Sequence, residues 1–358
     1  MSSQNRQGSI SNFERSIFAT IAYYDYFNYP LTAGEIYQYL IKPYPQCHPE
    51  FISGSIKAEK RDDKILKQVQ DDTEQIKNDN LKIQDDNGKL SFSEIIEILD
   101  NSTILKKTIE QKNGFYFLRG RKEMIKQRIQ SKKLTDQKFK RSKWILKFIS
   151  YLPFIRLIMI SGSTAIGNPQ KESDIDLLIV AKYGRIWTAR AALTFFTLLF
   201  GVYRHTGKTE NRLCLNHYIT DRSLGIDFGN LYKAEEYLNL LPLSGDLNLY
   251  KKFFKENSWI KNYTYSSSGS LEKNLRTIPL KGVSLKIKHF FEFLLSGFVG
   301  DRFEKYFKKL QVYFIEKNPL TGSPKARIRY NDSNLVFHPV LVEPEVIGKW
   351  KEKMAKFE

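Results

Sequence analysis

Two short apolar runs, Leu157-Ile158-Met159-Ile160 and Leu177-Leu178-Ile179-Val180, constrain the fold of this chain more than any other feature. Each has the length of a strand and no polar alternation, which fits a strand buried on both faces. The first run ends in Ser161-Gly162-Ser163-Thr164. The second is entered through Asp174-Ile175-Asp176, with ten residues between Ser163 and Asp174. Gly162 lets the backbone turn sharply and approach a ligand closely. A helix beginning at Ser163 or Thr164 offers free N–H groups and its positive end to an anion, and Ser163 adds a hydroxyl donor. Asp174 and Asp176 stand two apart on a strand, so both side chains leave the same face. Two carboxylates so placed repel each other unless a cation sits between them. Mg²⁺ (or Mn²⁺) is the hard, oxygen-seeking ion that also bridges phosphates.

The Gly-Ser turn, the gap and the Asp-x-Asp entering an apolar strand resemble the signature of the polymerase-β-like nucleotidyltransferase superfamily. The resemblance implies an α/β (α+β) fold with a small mixed-sheet nucleotidyltransferase core, here residues 151–229. It implies that Gly162 and Ser163 hold an incoming NTP, while Asp174 and Asp176 are catalytic and bind one or two metal ions. Those ions activate an attacking hydroxyl and stabilise the pyrophosphate leaving group. The superfamily also has a third carboxylate on a later strand. The strand expected at residues 212–220 carries none, and Asn216 is the best candidate for the equivalent position, with Asp221 and Asp227 as alternatives. An Asn carbonyl can coordinate a metal, but it brings no charge and cannot act as a general base. His217 alternates in direction with Asn216 and is expected to be packed or at the surface; Cys214 is expected in the core.

Ahead of the core, helical spacing of Phe13, Ile17, Phe18, Ile21 and Tyr24 predicts one helix, and Thr32 with Glu35 forms a capping box for a second. Ser91 and Glu94 cap a third. Strand-like runs at 104–109 and 115–118 follow, joined by a turn at Asn113-Gly114. This order resembles a winged helix-turn-helix over residues 12–120, interrupted at 43–89 by a polar insertion expected to be disordered. Parts of that insertion, 47–55 and 64–72, resemble a translated genomic repeat, which removes Cys47 and His48 from consideration as ligands. The third helix carries Glu94, Glu97 and Asp100, which a phosphate backbone repels. A structural or protein-docking role therefore fits it at least as well as groove binding.

The net charge is +18 over 358 residues, and it is concentrated. Residues 106–156 hold sixteen Lys/Arg against three acids, so most of the excess lies in the wing and in a basic linking helix at 121–150. Either this stretch faces a polyanion such as nucleic acid, or it is a solvated face kept for solubility. Helices are expected at 185–203 and through a helical domain at 230–318. The aromatic stripe of that domain (Phe290, Phe291, Phe298, Phe303, Phe307 and Leu310) reads as core. By resemblance, such a domain closes over the nucleotide and holds the acceptor. Residues 319–358 are expected to wrap the surface as a tail.

Two cysteines are too few for a disulfide framework or a zinc site. The polar first residues are unlike a signal peptide, and the apolar stretch 191–203 is too short to span a bilayer, so a cytoplasmic chain with no membrane partner is expected. The whole arrangement resembles a bacterial group of nucleotidyltransferase-like proteins. It implies a Mg²⁺-dependent enzyme moving a nucleoside monophosphate from an NTP to an acceptor hydroxyl. The alternative is a catalytically degenerate regulator that senses nucleotide or binds nucleic acid; a toxin–antitoxin or defence component is a third reading.

Overall fold

The computed structural model describes residues 10–43, 90–205, 207–226, 229–266 and 277–358. Among them the chain is mixed α/β, with helices arranged around two sheets. All but the first residue of the insertion at 43–89, and Asp227, lie outside the described residues.

The amino-terminal part runs α1 (Asn12–Asp25), β1 (Leu31–Thr32), α2 (Ala33–Gln38), α3 (Phe92–Asn101), α4 (Thr103–Thr108), β2 (Ile109–Lys112) and β3 (Phe115–Leu118). The three strands form an antiparallel sheet in the order β1-β3-β2. Full capping boxes open α2 at Thr32 and Glu35 and α3 at Ser91 and Glu94, so each helix starts where its own side chains satisfy the free N–H groups. The run 104–109 is not a strand. The Ser102 side chain accepts from the Leu105 N–H, capping a short helix that holds the chain helical to Thr108. Extended backbone begins only at Ile109.

The long helix α5 (Met124–Ser150) leads into β4 (Ile155–Ser161), the short α6 (Gly162–Ala165), β5 (Ile175–Ala181), α7 (Ile186–Leu199) and β6 (Leu213–Thr220). After these come α8 (Leu231–Leu238), β7 (Leu241–Gly245), α9 (Leu247–Glu256), α10 (Val283–Leu294), α11 (Gly297–Glu316), β8 (Arg327–Tyr330), β9 (Asn334–His338) and α12 (Glu343–Phe357). The larger sheet has the order β7-β4-β5-β6-β9-β8, with β5 and β6 parallel and the other pairs antiparallel.

Both faces of β4 and β5 are covered, which is why their sequences are continuously apolar. Leu157, Met159, Leu178 and Val180 join the amino-terminal helices, α8, α9 and α12 in one core. Ile158, Ile160, Leu177 and Ile179 join α5 and α7 in a second. Each such side chain, fully buried, contributes about 1.5–3 kcal/mol relative to exposure.

The carboxy-terminal third departs from the expected helices and tail. The first part of the expected helical domain is interrupted by β7, an edge strand, where Pro242 is tolerated because an edge needs fewer N–H donors. Residues 319–358 are not a surface wrap, since they supply β8, β9 and α12. Phe357 of α12 stacks on Phe18 of α1 at 3.9 Å, and Trp350 Nε1 donates to the Ala19 carbonyl. Most of the aromatic stripe of α10 and α11 is not core either: Phe290, Phe291 and Phe298 are 61%, 45% and 74% exposed, while Phe307 packs against the second core. Polar groups turn inward there instead. Lys288 Nζ donates to the carbonyls of Ser150 and Ile155, and the Glu292 carboxylate accepts from Arg156 and the Phe154 N–H. These contacts satisfy the irregular turn before β4, so they decide which side of α10 is buried.

Candidate active site

Strand alternation puts Asp176 on the same face as Leu178 and Val180, toward α8 and the amino-terminal helices. Across β4 it pairs with Ser161, immediately before the Gly162-Ser163 turn. Gly162 has φ +64°, and a Cβ there would stand 2.6 Å from Asp176 Oδ2. The glycine is therefore required twice, by its backbone conformation and by the carboxylate it touches.

Asp174, just outside β5, is brought to the same place. Its carbonyl accepts from Thr164 Oγ1, and its Oδ2 lies 2.8 Å from Arg204 Nε as an ion pair. That pair lacks hydrogen-bond alignment, leaving Asp174 Oδ2 a buried oxygen with no hydrogen-bond donor. Asp174, Asp176 and Cys214 each present one ligand atom, all within 4.8 Å of one another. Burial pushes the Asp176 carboxyl up to about 7, helped by the neighbouring Asp174 charge. The Cys214 thiol is likewise pushed up by burial and by both carboxylates, so it stays protonated. Two adjacent carboxylates fit a hard divalent cation such as Mg²⁺ or Mn²⁺, which would share Asp174 Oδ2 with Arg204; a protonated thiol adds nothing to such an ion.

The strand β6 slips in register beside this pair. Asp176 pairs with Cys214, but Leu178 pairs with His217, so an extra β6 residue is accommodated. Asn216 falls in this irregularity, where its Nδ2 donates to Asp176 Oδ1 at 3.1 Å. It thus stands beside the carboxylate pair, as expected, and holds one Asp176 oxygen in place. The slip also returns His217 to the face it would have left under strict alternation. Asp221 is elsewhere: its Oδ1 accepts from the Tyr183 N–H.

A cavity of about 340 Å³ opens beside Gly162 and Ser163. Its walls include Tyr23, Tyr24, Phe27 and Tyr232, with the carboxylates Glu235 and Glu236 at one side. Tyr24 Oη donates to Glu235 Oε2 at 2.7 Å, and burial pushes the Glu235 carboxyl up to about 8. A smaller adjoining cavity is lined by Gly162, Asp176, Asn216, Tyr232 and Glu236, so Glu236 borders both spaces.

The amino-terminal helices grip the loop that follows the turn. Tyr29 Oη donates to the Ile166 carbonyl at 2.7 Å, and Asn168 Nδ2 donates to the Phe27 carbonyl at 2.8 Å. Arg128 of α5 stacks on the Tyr29 ring, pairs with Glu35 at 2.7 Å and donates to the Gly167 carbonyl. Lys138 of the same helix is buried, donating to the carbonyls of Lys171 and Ser173. Two members of the basic stretch therefore shape the loop between Ser163 and Asp174. Lys126, Lys132, Lys133, Lys140, Lys143 and Lys147 remain exposed.

Sequence reasoning missed Arg204, Tyr232, Glu235 and Glu236. Arg204 carried no motif signal, and the three on α8 sit in a stretch whose helical period marks burial but not its neighbour. None of the described helices is long and apolar enough to cross a membrane. No family model, curated protein or solved structure matches this chain.

Proposed function

We propose that the chain is a Mg²⁺- or Mn²⁺-dependent nucleotidyltransferase that moves a nucleoside monophosphate from an NTP to an acceptor hydroxyl. The observation that carries this reading is the convergence of Asp174 and Asp176 beside the Gly162-Ser163 turn, which itself lines an aromatic-walled cavity. On this reading residues 151–229 with β7, β8 and β9 are a nucleotidyltransferase core, and the amino-terminal helices with their small sheet are a winged-helix-like module that closes one wall.

Asp174 and Asp176 would hold the cation, which when bound supplies charge to the phosphates and acidifies the acceptor hydroxyl. Gly162 leaves room for the Asp176 carboxylate beside the turn, and Ser163 offers phosphate oxygens a hydroxyl donor. The rings of Tyr23, Phe27 and Tyr232 give a base or sugar an apolar wall. The acceptor oxygen attacks the α-phosphorus, the bond to pyrophosphate breaks, and the hydroxyl proton passes to a carboxylate. Asn216 cannot take that proton. Glu236, which borders the same space as Asp176 and is held by Lys233 at 2.6 Å, is the carboxylate assigned to it.

The test is calorimetry of NTP binding with Mg²⁺, comparing wild type with the Asp174→Ala/Asp176→Ala pair. Metal-dependent binding lost in the folded variant supports the reading; binding that persists unchanged overturns it. Glu236→Gln is expected to bind NTP and to lose turnover.

The amide at Asn216 favours a second reading, a degenerate domain that binds nucleotide without turnover and serves regulation. The exposed lysines of α5 then become a nucleic-acid surface, and the expected signature is binding that weakens steeply with salt.

A further inference from the structure

Next to the small cavity that holds Asp176, and sharing Lys233, Arg327 and His338 with it, the sheet carries a further polar cavity of about 140 Å³. Its walls come from three adjacent strands. His217 pairs with Val336, which pairs with Arg329; His338 pairs with Arg327 in the next row. Cross-strand partners share a face, so β6, β9 and β8 direct both imidazoles and both guanidinium-bearing residues to one side. Lys233 of α8 closes that side.

Among the described residues no carboxylate lines this cavity. Glu343 pairs with Arg327 at 3.0 Å and Glu236 pairs with Lys233 at 2.6 Å, but both acids lie toward the neighbouring cavity. A guanidinium has five donors and an ammonium three, so each cation retains donors beyond its ion pair. The imidazoles are the independent observation. His217 is only 5% exposed, and its Nε2 and that of His338 are buried with no hydrogen-bond partner. A buried polar atom without a partner is costly, and two such imidazoles with ring centroids 6.3 Å apart line one space. The volume is below the roughly 300–1,000 Å³ of sites for drug-sized ligands.

We propose that this cavity binds one compact oxyanion of the phosphate type, either free or as the terminal group of a larger molecule. Arg327, Arg329 and Lys233 supply the charge, and the two imidazoles complete the hydrogen bonds. The assignment does not depend on a metal at Asp174 and Asp176.

The full chain in EDTA, without nucleotide, is titrated with inorganic phosphate and separately with glycerol phosphate, read by calorimetry. Saturable binding at one site is expected, weakened about tenfold or more in Arg329→Gln and in His338→Gln and unchanged in Ser163→Ala. Arg329 is exposed, so its variant tests the idea even if the buried histidine does not tolerate change. Tighter binding of the monoester identifies a terminal group; tighter inorganic phosphate identifies a free ion. Absence of binding to wild type, equal binding by Arg329→Gln, or loss in Ser163→Ala overturns the proposal, the last by moving the anion to the Gly-Ser turn.

Discussion

Gly162 and Asp176 approach so closely that a single methyl on the glycine would stand 2.6 Å from Asp176 Oδ2. The contact ties the turn after β4 to the carboxylate at the start of β5. Gly162→Ala should therefore act on the site and on stability together. The left-handed backbone costs about 1–2 kcal/mol for an L-residue, and the carboxylate must also move. Thermal unfolding should show a fall of a few degrees, and Mn²⁺ affinity should drop with it. An alanine variant with wild-type Mn²⁺ affinity would show that the carboxylate position does not matter.

The proton on Asp176 competes with any cation for the same oxygen. Because burial and Asp174 lift its pKa toward neutrality, Mn²⁺ affinity should rise with pH and level off above about 7. In Asp176→Asn the affinity should be low and nearly independent of pH across that range. Calorimetric titrations at several pH values check this, and a flat profile in wild type counts against the shifted carboxyl.

Glu235 makes a separate prediction about stability. Its folded carboxyl holds the proton up to about 8, whereas the ordinary value is 4.5. The folded state thus binds more protons between these values, so its contribution is complete below 4.5 and is lost as pH rises through about 8. Glu235→Gln keeps the partner for Tyr24 without the ionisation. Its melting temperature should fall less than that of wild type between pH 6 and 9, the two slopes differing by at most one proton, about 1.4 kcal/mol per pH unit. Parallel curves for the two proteins would remove Glu235 from the alkaline limb.

The histidines act on the opposite limb. Burial, with repulsion from nearby cations, pushes His338 down to about 3 from an ordinary 6.5. Its stabilising contribution is present above 6.5 and is lost as pH falls toward 3. His338→Gln should therefore show a shallower acid limb in thermal unfolding; a limb as steep as that of wild type removes His338 from the acid transition.

Arg128 and the exposed lysines of α5 separate two meanings of the basic stretch. Arg128→Ala leaves the Glu35 carboxylate without its cation, held by Thr32 and Tyr29, and should cost about 1–3 kcal/mol, measured by denaturant unfolding. Reversing Lys132, Lys133, Lys140, Lys143 and Lys147 to Glu should change stability by only about 0.5 kcal/mol each. If nucleic acid binds here, the same reversal abolishes it.

What the sequence by itself determined is what neighbours along the chain decide. Ser91 with Glu94 and Thr32 with Glu35 start their helices because each cap is made within four residues. The apolar runs 157–160 and 177–180 become buried strands because nothing in them is stable in water. Gly162, Ser163, Asp174 and Asp176 were legible as a group through the resemblance of their spacing to a family signature, while the strand period alone related only Asp174 to Asp176. Tertiary structure alone decided the rest. Arg204 beside Asp174, Glu236 beside Asp176 and the grip of Tyr29 and Asn168 on the turn depend on which distant segments meet. The return of 327–338 to the sheet, and the outward turn of the α10 aromatics, depend on it too. Lys288 and Glu292 faced inward because free carbonyls and N–H groups waited there, and hydrophobic period carries no information about such partners.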